Sequence, residues 1–520
     1  MKTLFHIVCI AAMLMYSVGC SDDYLNTSPT DSTGSTEIFE NTTNAALALN
    51  GVLKLMTKQY GGSFGQGYNG EGTIKMYYGN YPGTAFVLNT AGWTNTVLGN
   101  HHTNTSSVLA VYPWFYYYRI IGDVNSIIAH IDGAKGAEGE RQFIKAQALT
   151  LRAYAYSMLV QLYSLRWSDS QNGASPGVVL RLEPTIDPQA LSTLGEVYSQ
   201  VYKDLDHAIN LFGSSGLKRR DNFSPDIQVA YAVYARAAIN RLDYGKAADM
   251  AAKAREGYPL MTNAEYLSGF NTPNREWIWS SFSSTEETLY YFSFHSTIAF
   301  NSNANAVRQQ PKGMSKQYYD TFGEKDIRRE LFLDTVGYAK DVNKTTGRAA
   351  TTTPLGRYVF DRYGNRSVPA MDPAAYIYAY MQFKFSCTAN PGVGHLNHFR
   401  SAEMYLIEAE AQYHLGNEVK ARSLLNELTR PRDADYTCTQ TGEKLFTEIK
   451  RIAQLELWGE GFDWFMLKRW KDRIIHTEWG KPGGNYLETY RCDQSPNDKN
   501  NQTWAIPLAE TDYNNLIDKP

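Results

Sequence analysis

The sequence predicts a mostly α-helical fold of tetratricopeptide-like helical hairpins, about four in number, packed with a loop-rich lobe that contains short strands. Three observations carry this prediction. Apolar and small residues recur in steps of three and four from His398 onward, which marks the buried faces of two successive helices. Ala230–Pro259 repeats the pattern, with alanines and a closing proline at the expected spacing. Long segments rich in aromatic residues, Gly and Asn separate the helices and predict the loops.

Small residues mark the points where two antiparallel helices pack closely. Gly416 follows one predicted helix and can adopt the left-handed conformation that closes it, and Ala421 lies five residues further on. One residue serves as the marker of each predicted hairpin: Leu47, Ala153, Ala235 and Ala411.

Residues 1–19 are predicted to be a signal peptide. Lys2 supplies the positive end, and the thirteen-residue apolar run Leu4–Tyr16 is too short to span a bilayer but suits a secretory signal. Cleavage before Cys20 would leave an N-terminal cysteine for lipid attachment. An ordinary signal peptide with an incidental cysteine is the alternative.

The rest of the chain divides into a tether and one body. Residues 20–37 are predicted to be a lipid-anchored flexible tether, because Asn26–Glu37 is polar and rich in Thr and Ser. Residues 38–520 form a single predicted body. Its N-terminal part, 38–280, carries helical repeats and an aromatic loop, and 281–520 completes the repeats and the binding lobe.

Charge and cysteine content exclude several classes of protein. The net charge is −3, and removal of residues 1–19 takes away one Lys, which gives 49 − 53 = −4. Without a basic stripe, nucleic acid is not an expected partner. Three cysteines remain after Cys9 and Cys20, which leaves one disulfide open and argues against a disulfide framework or a zinc site. These are Cys387, Cys438 and Cys492.

Helical periodicity predicts the long helices Glu37–Gln59, Tyr112–Ile131, Glu138–Leu165, Leu194–Phe212 and Ile227–Arg255. Arg275–Trp279 alternates like a strand, with Trp277 and Trp279 on one face that we assign to the core. Val342–Arg357 is rich in Thr and predicts an exposed excursion. The remaining tryptophans near the C-terminus are expected to pack against the repeats: Trp458, Trp464 and Trp470.

Several of these stretches resemble the SusD/RagB family of lipid-anchored, glycan-binding outer-membrane proteins. The similar segments are the helix centre Ala146–Tyr154, FRSAEMYLIEAEA at Phe399–Ala411, Arg451–Trp470 and the closing WAIPLAE at Trp504–Glu510. The resemblance implies a surface-exposed lipoprotein that binds an oligosaccharide or polysaccharide. It also implies delivery of that glycan to a SusC-like TonB-dependent transporter, with this protein acting as a lid. The acidic residues that follow Cys20 resemble the family's surface-export signal.

Aromatic loops are the predicted ligand site. Tyr60–Tyr118 holds fourteen aromatic residues in 59 positions, and Ser280–Val307 has a similar composition. An aromatic ring can cover the apolar face of a sugar while a neighbouring side chain bonds its hydroxyls. Trp93 is the predicted platform and Asn95 its hydroxyl partner. Further stacking surfaces are predicted at Tyr77, Tyr78, Tyr290 and Tyr291. The alternative for each ring is that it fixes a loop onto the helical body.

Two other functional classes stay open. A secreted glycoside hydrolase on a helical scaffold would need two facing carboxylates, and Glu286-Glu287 lies in an aromatic loop. A repeat protein could instead bind peptides or proteins on its concave face. No catalytic motif is present, and His101-His102, His395 and His398 lack a third ligand at a recognisable spacing. The sequence therefore predicts a binding protein without catalytic residues, metal or cofactor.

Overall fold

The computed structural model describes residues 38–286 and 292–518. The predicted signal peptide, Cys20 and the tether lie outside these described residues. Helices dominate, and the described part of the chain contains ten of eight or more residues. They are α1 (Thr42–Leu55), α2 (Val108–His130), α3 (Glu138–Tyr163), α4 (Leu194–Ser215), α5 (Ile227–Asn240), α6 (Tyr244–Ala254), α7 (Ser401–His414), α8 (Glu418–Thr429), α9 (Gly442–Glu456) and α10 (Asp463–Trp470).

The strands are short. They are β1 (Phe86–Leu88), β2 (Pro176–Val179), β3 (Leu191–Thr193), β4 (Trp277–Ser281), β5 (Lys312–Met314), β6 (Arg348–Ala349), β7 (Ile377–Tyr378), β8 (Leu396–Arg400), β9 (Ile474–His476) and β10 (Cys492–Gln494). They form antiparallel pairs: β1 with β5, β2 with β3, β4 with β8, β6 with β7, and β9 with β10. In the first pair Phe86 lies opposite Met314, so the N-terminal third is joined directly to the second half of the chain.

The predicted helical hairpins are confirmed. The helices pack in sequential pairs, α3 on α4, α5 on α6 and α7 on α8, and α6 also packs on α7. The first helix, α1, packs on α2 across a long intervening loop. The markers Ala153, Ala235 and Ala411 are fully buried, as close packing of helices requires. Leu47 is different, because it is 64% exposed and the buried residues of α1 are Thr42, Ala45, Leu49 and Val52.

Helix ends follow local capping chemistry. Thr193 and Glu196 form a capping box at the start of α4, where each side chain accepts the backbone N–H of the other, at 3.2 and 2.7 Å. The helix ends at Gly216 with φ +67°, a left-handed conformation that favours glycine. Gly416, with φ +81°, likewise follows α7 as the sequence predicts.

A buried charge network joins the segments that resemble the family signatures. Arg400 donates to Glu276 at 2.7 Å, to Glu456 at 2.8 Å and to Glu460 at 2.7 Å. Lys384 also donates to Glu460, at 2.7 Å. Burial opposes the ionisation of Glu456, but the surrounding cations, Arg400 foremost, lower its pKa to about 2. Because Arg400 ends β8 and Glu456 ends α9, this network connects the helical repeats to the strand pair β4–β8.

The tryptophans assigned to the core are buried. Trp277 and Trp279 are 1% and 0% exposed, so their predicted place in the core is confirmed. Trp458 and Trp464 are also buried, while Trp470 is half-buried and donates to Glu410 at 3.0 Å. The cysteines Cys387, Cys438 and Cys492 carry free thiols.

The loop-rich lobe lies between β4 and β8. It has a small apolar core of its own around Phe300, Leu355 and Phe383, and the predicted excursion Val342–Arg357 packs on this core through Ala349 and Leu355. Across the residues that the structure describes, helices with the length and apolar character of a membrane span are absent.

Candidate functional site

Trp93 lies near the surface between β1 and a short helix, Thr94–Val97. Its ring is half-buried and packs on Tyr77 with ring centroids 5.1 Å apart, and on Tyr81 at 5.4 Å. Gly92 precedes it with φ +107°, a conformation that strains any residue with a Cβ. The loop therefore turns sharply at Gly92 and leaves an indole ring that two tyrosines support.

Residues from the C-terminal end of the chain fix this loop. The Trp93 N–H donates to the Tyr490 hydroxyl at 3.4 Å, and that hydroxyl donates to the carbonyl of Thr90. At the start of β1, the Asp463 carboxylate accepts the N–H of Ala85 at 2.7 Å. Burial raises the pKa of Asp463 to about 7. The position of Trp93 thus depends on contacts made from almost 400 residues away in sequence.

Polar side chains lie beside the Trp93 loop. Asn95 is exposed, and its Oδ1 accepts a hydrogen bond from Asn100 Nδ2 at 3.0 Å. Asn100 Oδ1 in turn accepts from Lys499 Nζ at 2.6 Å. An aromatic ring with amides next to it offers the two kinds of contact that a sugar requires, one for its apolar face and one for its hydroxyls.

Two of the predicted stacking residues are not at the surface. Tyr77 and Tyr78 lie in a π-helical segment, Ile74–Asn80, of which every residue is buried. Tyr78 has no exposed surface, packs on Trp504 at 4.9 Å and donates to the Leu109 carbonyl at 2.7 Å. Tyr77 is 8% exposed and supports Trp93. The structure therefore corrects their role from ligand contact to core packing, and for both residues burial raises the pKa.

Tyr290 and Tyr291 lie outside the described residues, so their place in the site stays a prediction. The chain that follows them does reach this region. A Cβ built on Gly67 would lie 3.6 Å from the Phe292 ring and 3.1 Å from the Tyr77 hydroxyl. The two aromatic loops that the sequence analysis selected are thus neighbours at Gly67.

Sequence reasoning missed two aromatic residues next to the turn at Gly67, which the Tyr77 hydroxyl approaches. Phe64 and Tyr68 are half-buried, with ring centroids 5.7 Å apart, and they flank the glycine-rich turn 65–67. Tyr77 connects them to Trp93, because it packs on the indole and its hydroxyl approaches Gly67. Aromatic residues on both sides of Gly65-Gln66-Gly67 were the available signal. We call Phe64, Tyr68 and Trp93 the aromatic rim.

The histidines serve separate parts of the core. His102 packs on Trp504 at 4.6 Å, and burial lowers its pKa to about 3. His398 Nε2 lies 2.7 Å from the Ser281 hydroxyl, and His395 Nδ1 accepts the Ser283 N–H at 3.1 Å. Within residues 38–286 and 292–518, no cluster of three or more His, Cys, Asp or Glu side chains is arranged to hold a metal ion.

Comparison with known proteins identifies the family. The SusD family model matches residues 239–517, more than half of the chain, and a second family model, described as starch-binding associating with outer membrane, matches residues 24–239. No curated protein matches the chain.

Solved structures share the fold. A SusD-like carbohydrate binding protein from Bacteroides vulgatus is 23% identical, with a TM-score of 0.74 over 92% of this chain and 98% of its own. A SusD superfamily protein from Bacteroides thetaiotaomicron is 20% identical, with a TM-score of 0.72 over 92% and 99%. One from Bacteroides fragilis is 18% identical, with a TM-score of 0.69 over 93% and 100%. Since the SusD family model matches more than half of the sequence and the helical hairpins agree with these structures, the chain belongs to the SusD family.

Proposed function

We propose that this protein is a surface lipoprotein that captures an oligosaccharide or polysaccharide and delivers it to a SusC-like TonB-dependent transporter. Membership of the SusD family supports glycan binding and association with the outer membrane, because the description of the second matched family model refers to starch binding and to the outer membrane. Lipid attachment at Cys20 and exposure at the cell surface are parts of the same proposal. The observation that carries it is the aromatic rim with the exposed amide of Asn95 beside it.

Trp93 is the main stacking platform in this proposal. Its half-buried ring is held by Tyr77 and Tyr81, so little conformational entropy is lost when a sugar covers it. Asn95 and Asn100 supply amide groups for the hydroxyls at the edge of the sugar. Phe64, Tyr68, Tyr290 and Tyr291 are proposed as further apolar contacts for the ligand.

Modest affinity suits delivery. Stacking on an aromatic side chain is worth about 1–3 kcal/mol per ring in the related case of nucleic-acid bases. A site built on stacking and neutral hydrogen bonds, without a buried ion pair to the ligand, can therefore release its glycan. In the proposed assembly the protein acts as a lid on the transporter and passes the glycan on when the lid closes.

The test is binding without turnover. The purified protein is run in affinity gels that contain a panel of polysaccharides, and bound candidates are then measured by calorimetry. We expect retardation by at least one polysaccharide and no release of reducing ends during long incubation. Steady release of reducing ends would instead identify a glycoside hydrolase, and binding of peptides without any glycan would identify a peptide-binding repeat protein.

Delivery needs a separate experiment. We expect the protein to co-purify with a TonB-dependent transporter from outer membranes. We also expect a strain that lacks this protein to lose glycan uptake. Normal uptake in that strain would contradict the delivery role while leaving glycan binding intact.

A further inference from the structure

Three side chains beside the Trp93 loop form a hydrogen-bonded chain. Lys499 Nζ donates to Asn100 Oδ1 at 2.6 Å, and Asn100 Nδ2 donates to Asn95 Oδ1 at 3.0 Å. The Asn95 side chain is exposed, and its Nδ2 forms no hydrogen bond with another residue that the structure describes. Asn95 is the second residue of the short helix Thr94–Val97, which begins directly after Trp93. The hydrogen-bonded chain therefore ends at the proposed glycan site.

The ammonium group of Lys499 determines the direction of these hydrogen bonds. An ammonium carries three donors and no acceptor, so the side-chain oxygen of Asn100 must face it. The Asn100 nitrogen then faces Asn95, whose oxygen must accept from it. An amide keeps its shape when it is turned by 180°, but a donor-only cation at one end permits only one orientation of each amide. Asn95 therefore presents N–H donors, and no acceptor, at its free end.

The backbone that carries Lys499 is strained. Four consecutive residues other than glycine have left-handed conformations, with φ +51° at Lys499, +58° at Asn500, +54° at Asn501 and +55° at Gln502. Residues with a Cβ rarely adopt this conformation, and then usually one at a time. Strain of this kind persists only where the surrounding structure enforces it, and it is concentrated at binding sites. The fold thus maintains Lys499 in an unfavourable conformation next to the Trp93 loop.

Buried contacts hold this strained turn. Before it, Arg166 donates to the Pro496 carbonyl at 2.9 Å and to the Asn497 side chain at 3.0 Å. Within it, the side-chain oxygen of Gln502 accepts from Trp464 Nε1 at 3.1 Å. The arginine, the tryptophan and the glutamine are all buried, so the core of the protein fixes the turn and the base of the lysine side chain.

The charge of Lys499 is not neutralised by a carboxylate. It forms no ion pair with any residue in the described part of the chain. Asp498 precedes it, but the Asp498 carboxylate accepts the Ser495 N–H at 2.7 Å. Glu488, in the short segment that packs on Thr94–Val97, is exposed and has no hydrogen bond to the two amides. The ammonium can therefore polarise both amides toward a ligand.

We propose that Lys499, Asn100 and Asn95 form a donor relay that selects a glycan with a uronic acid carboxylate next to the ring that stacks on Trp93. This inference rests on the proposed glycan site and names its ligand class. A hydroxyl can donate or accept, so a neutral sugar gains little from a fixed donor, whereas a carboxylate only accepts. The unpaired ammonium also attracts a carboxylate, in an exposed site where water and salt screen the attraction. Asn95 contacts the ligand, and the other two are positioning residues.

The probes are three acidic polysaccharides, polygalacturonate, alginate and hyaluronan, each paired with its carboxyl-reduced form. The three differ in linkage, and reduction replaces each carboxylate by a hydroxymethyl group while the glycosidic bonds stay the same. Affinity gels at one fixed ionic strength give the ratio of affinities within each pair. We expect at least one acidic polysaccharide to bind at least tenfold more tightly than its reduced form.

Substitutions at position 499 test the direction of the relay. Lys499→Arg keeps a donor-only cation and should retain the preference. Lys499→Met removes the donor and should lower the ratio at least fivefold, while affinity for the reduced form changes less than twofold. Lys499→Glu offers only acceptors, so both amides turn, Asn95 presents its oxygen and the reduced form should bind more tightly than the acid. Asn95→Asp, which replaces the terminal N–H groups by a carboxylate oxygen, should also remove the preference.

These variants are expected to fold normally. Arg, Met and Glu carry a Cβ as lysine does, so the strained turn makes the same demand on each of them, and the melting temperature should stay nearly unchanged. Lys344→Glu is the matched control, because Lys344 is exposed in the loop-rich lobe and forms no ion pair with another described residue. It changes the net charge as Lys499→Glu does and should leave the ratio of affinities unchanged.

Three outcomes would overturn the inference. They are equal affinity for the acidic and reduced members of every pair, full preference for the acid in Lys499→Met, and a loss of preference in Lys344→Glu as large as that in Lys499→Glu. Binding of neutral polysaccharides that Trp93→Ala weakens, without any preference for the acid, would reject the relay and keep the proposed function. Failure to bind any polysaccharide, acidic or neutral, would reject both.

Discussion

Two tyrosines hold the Trp93 ring in its half-buried position. Tyr77 and Tyr81 pack on it from the buried π-helical turn and the residue after that turn, while Gly92 lets the backbone turn before it. A ring that is partly supported is rigid enough to stack on a ligand and open enough to reach one. The same argument separates Trp93 from Trp277, which has 1% of its surface exposed and can serve only the core.

Trp93→Ala should weaken glycan binding by about 1–3 kcal/mol, at least several-fold, because it removes the main stacking surface. The melting temperature should fall only slightly, since the ring is half-buried. Trp277→Ala should instead lower the free energy of unfolding by about 3–5 kcal/mol and leave glycan binding nearly unchanged. Calorimetry and thermal melting on both variants provide the measurement.

Tyr338→Ala is the matched control for this pair, because Tyr338 is also a half-buried aromatic residue but packs on Tyr358 in the loop-rich lobe. It should leave glycan binding unchanged. The division between platform and core is wrong if Trp93→Ala binds like the wild type, or if it unfolds the protein while Trp277→Ala does not.

At the scale of residues, composition indicated a candidate region for the ligand site but not which of its aromatic rings are exposed. The glycine-rich, aromatic stretch that contains Trp93 could be recognised from sequence, but residues 69–89 of it are buried, so its composition did not show which rings reach the surface. The burial of Tyr78 could not, since it depends on Trp504 and Leu109, which meet it only in the folded chain. A π-helical turn also places side chains at angles that no simple sequence period describes.

At the scale of elements, the hairpins depend on small residues where helices approach each other. Ala235→Leu on α5 and Ala411→Leu on α7 should each lower the free energy of unfolding by about 1–3 kcal/mol, because both alanines are fully buried and a larger side chain overfills the space. Urea unfolding measures the effect. Val419→Leu on α8, at a position that is 76% exposed, is the control and should change little. Unchanged stability for both alanine variants would contradict close helix packing there.

The Asp463 carboxyl, which contacts the start of β1, makes a pH-dependent contribution to the free energy of unfolding. Burial raises the pKa of Asp463 from 3.8 to about 7, so the folded state holds this proton more strongly than the unfolded state does. The resulting stabilisation is present at low pH and is lost as the pH rises from about 4 to 7.

Asp463→Asn removes this titration and keeps an oxygen that can accept the Ala85 N–H. The variant should therefore gain stability relative to the wild type between pH 4 and 8, by a few kcal/mol at most, since one pKa unit corresponds to about 1.4 kcal/mol. Urea unfolding at several pH values gives the difference, with the exposed Glu488→Gln as control. If the difference in free energy of unfolding between the variant and the wild type does not change with pH across this range, Asp463 does not titrate as described.

Periodicity predicted which helices pair, because each buried face repeats at helical spacing. The choice of Leu47 as a hairpin marker was wrong, because Leu47 is 64% exposed while Ala45 and Leu49 are buried. An apolar residue on an exposed helix face looks like a core residue in sequence. The charges of the signature segments were equally ambiguous, because Arg400 and Glu456 resemble surface residues until their partners are known.

At the scale of the whole molecule, fold and family were predictable because the signature segments carry the buried charges that connect the repeats to the rest of the body. The ligand was not, because aromatic rings select a flat sugar face without specifying the linkage.

The body is predicted to be attached to the membrane through Cys20. Cys20 lies outside the described residues, so lipid attachment there stays a prediction. In our proposal lipid attached to Cys20 is the anchor, so Cys20→Ala should move the protein from the outer-membrane fraction to the soluble fraction or mislocalise it. Fractionation and blotting provide the measurement, in a strain that lacks the transporter, because tight binding to the transporter could retain an unanchored protein. A Ser21→Ala variant controls for changes near the cleavage site. Wild-type partitioning of Cys20→Ala in that strain would mean that another part of the chain holds it at the membrane.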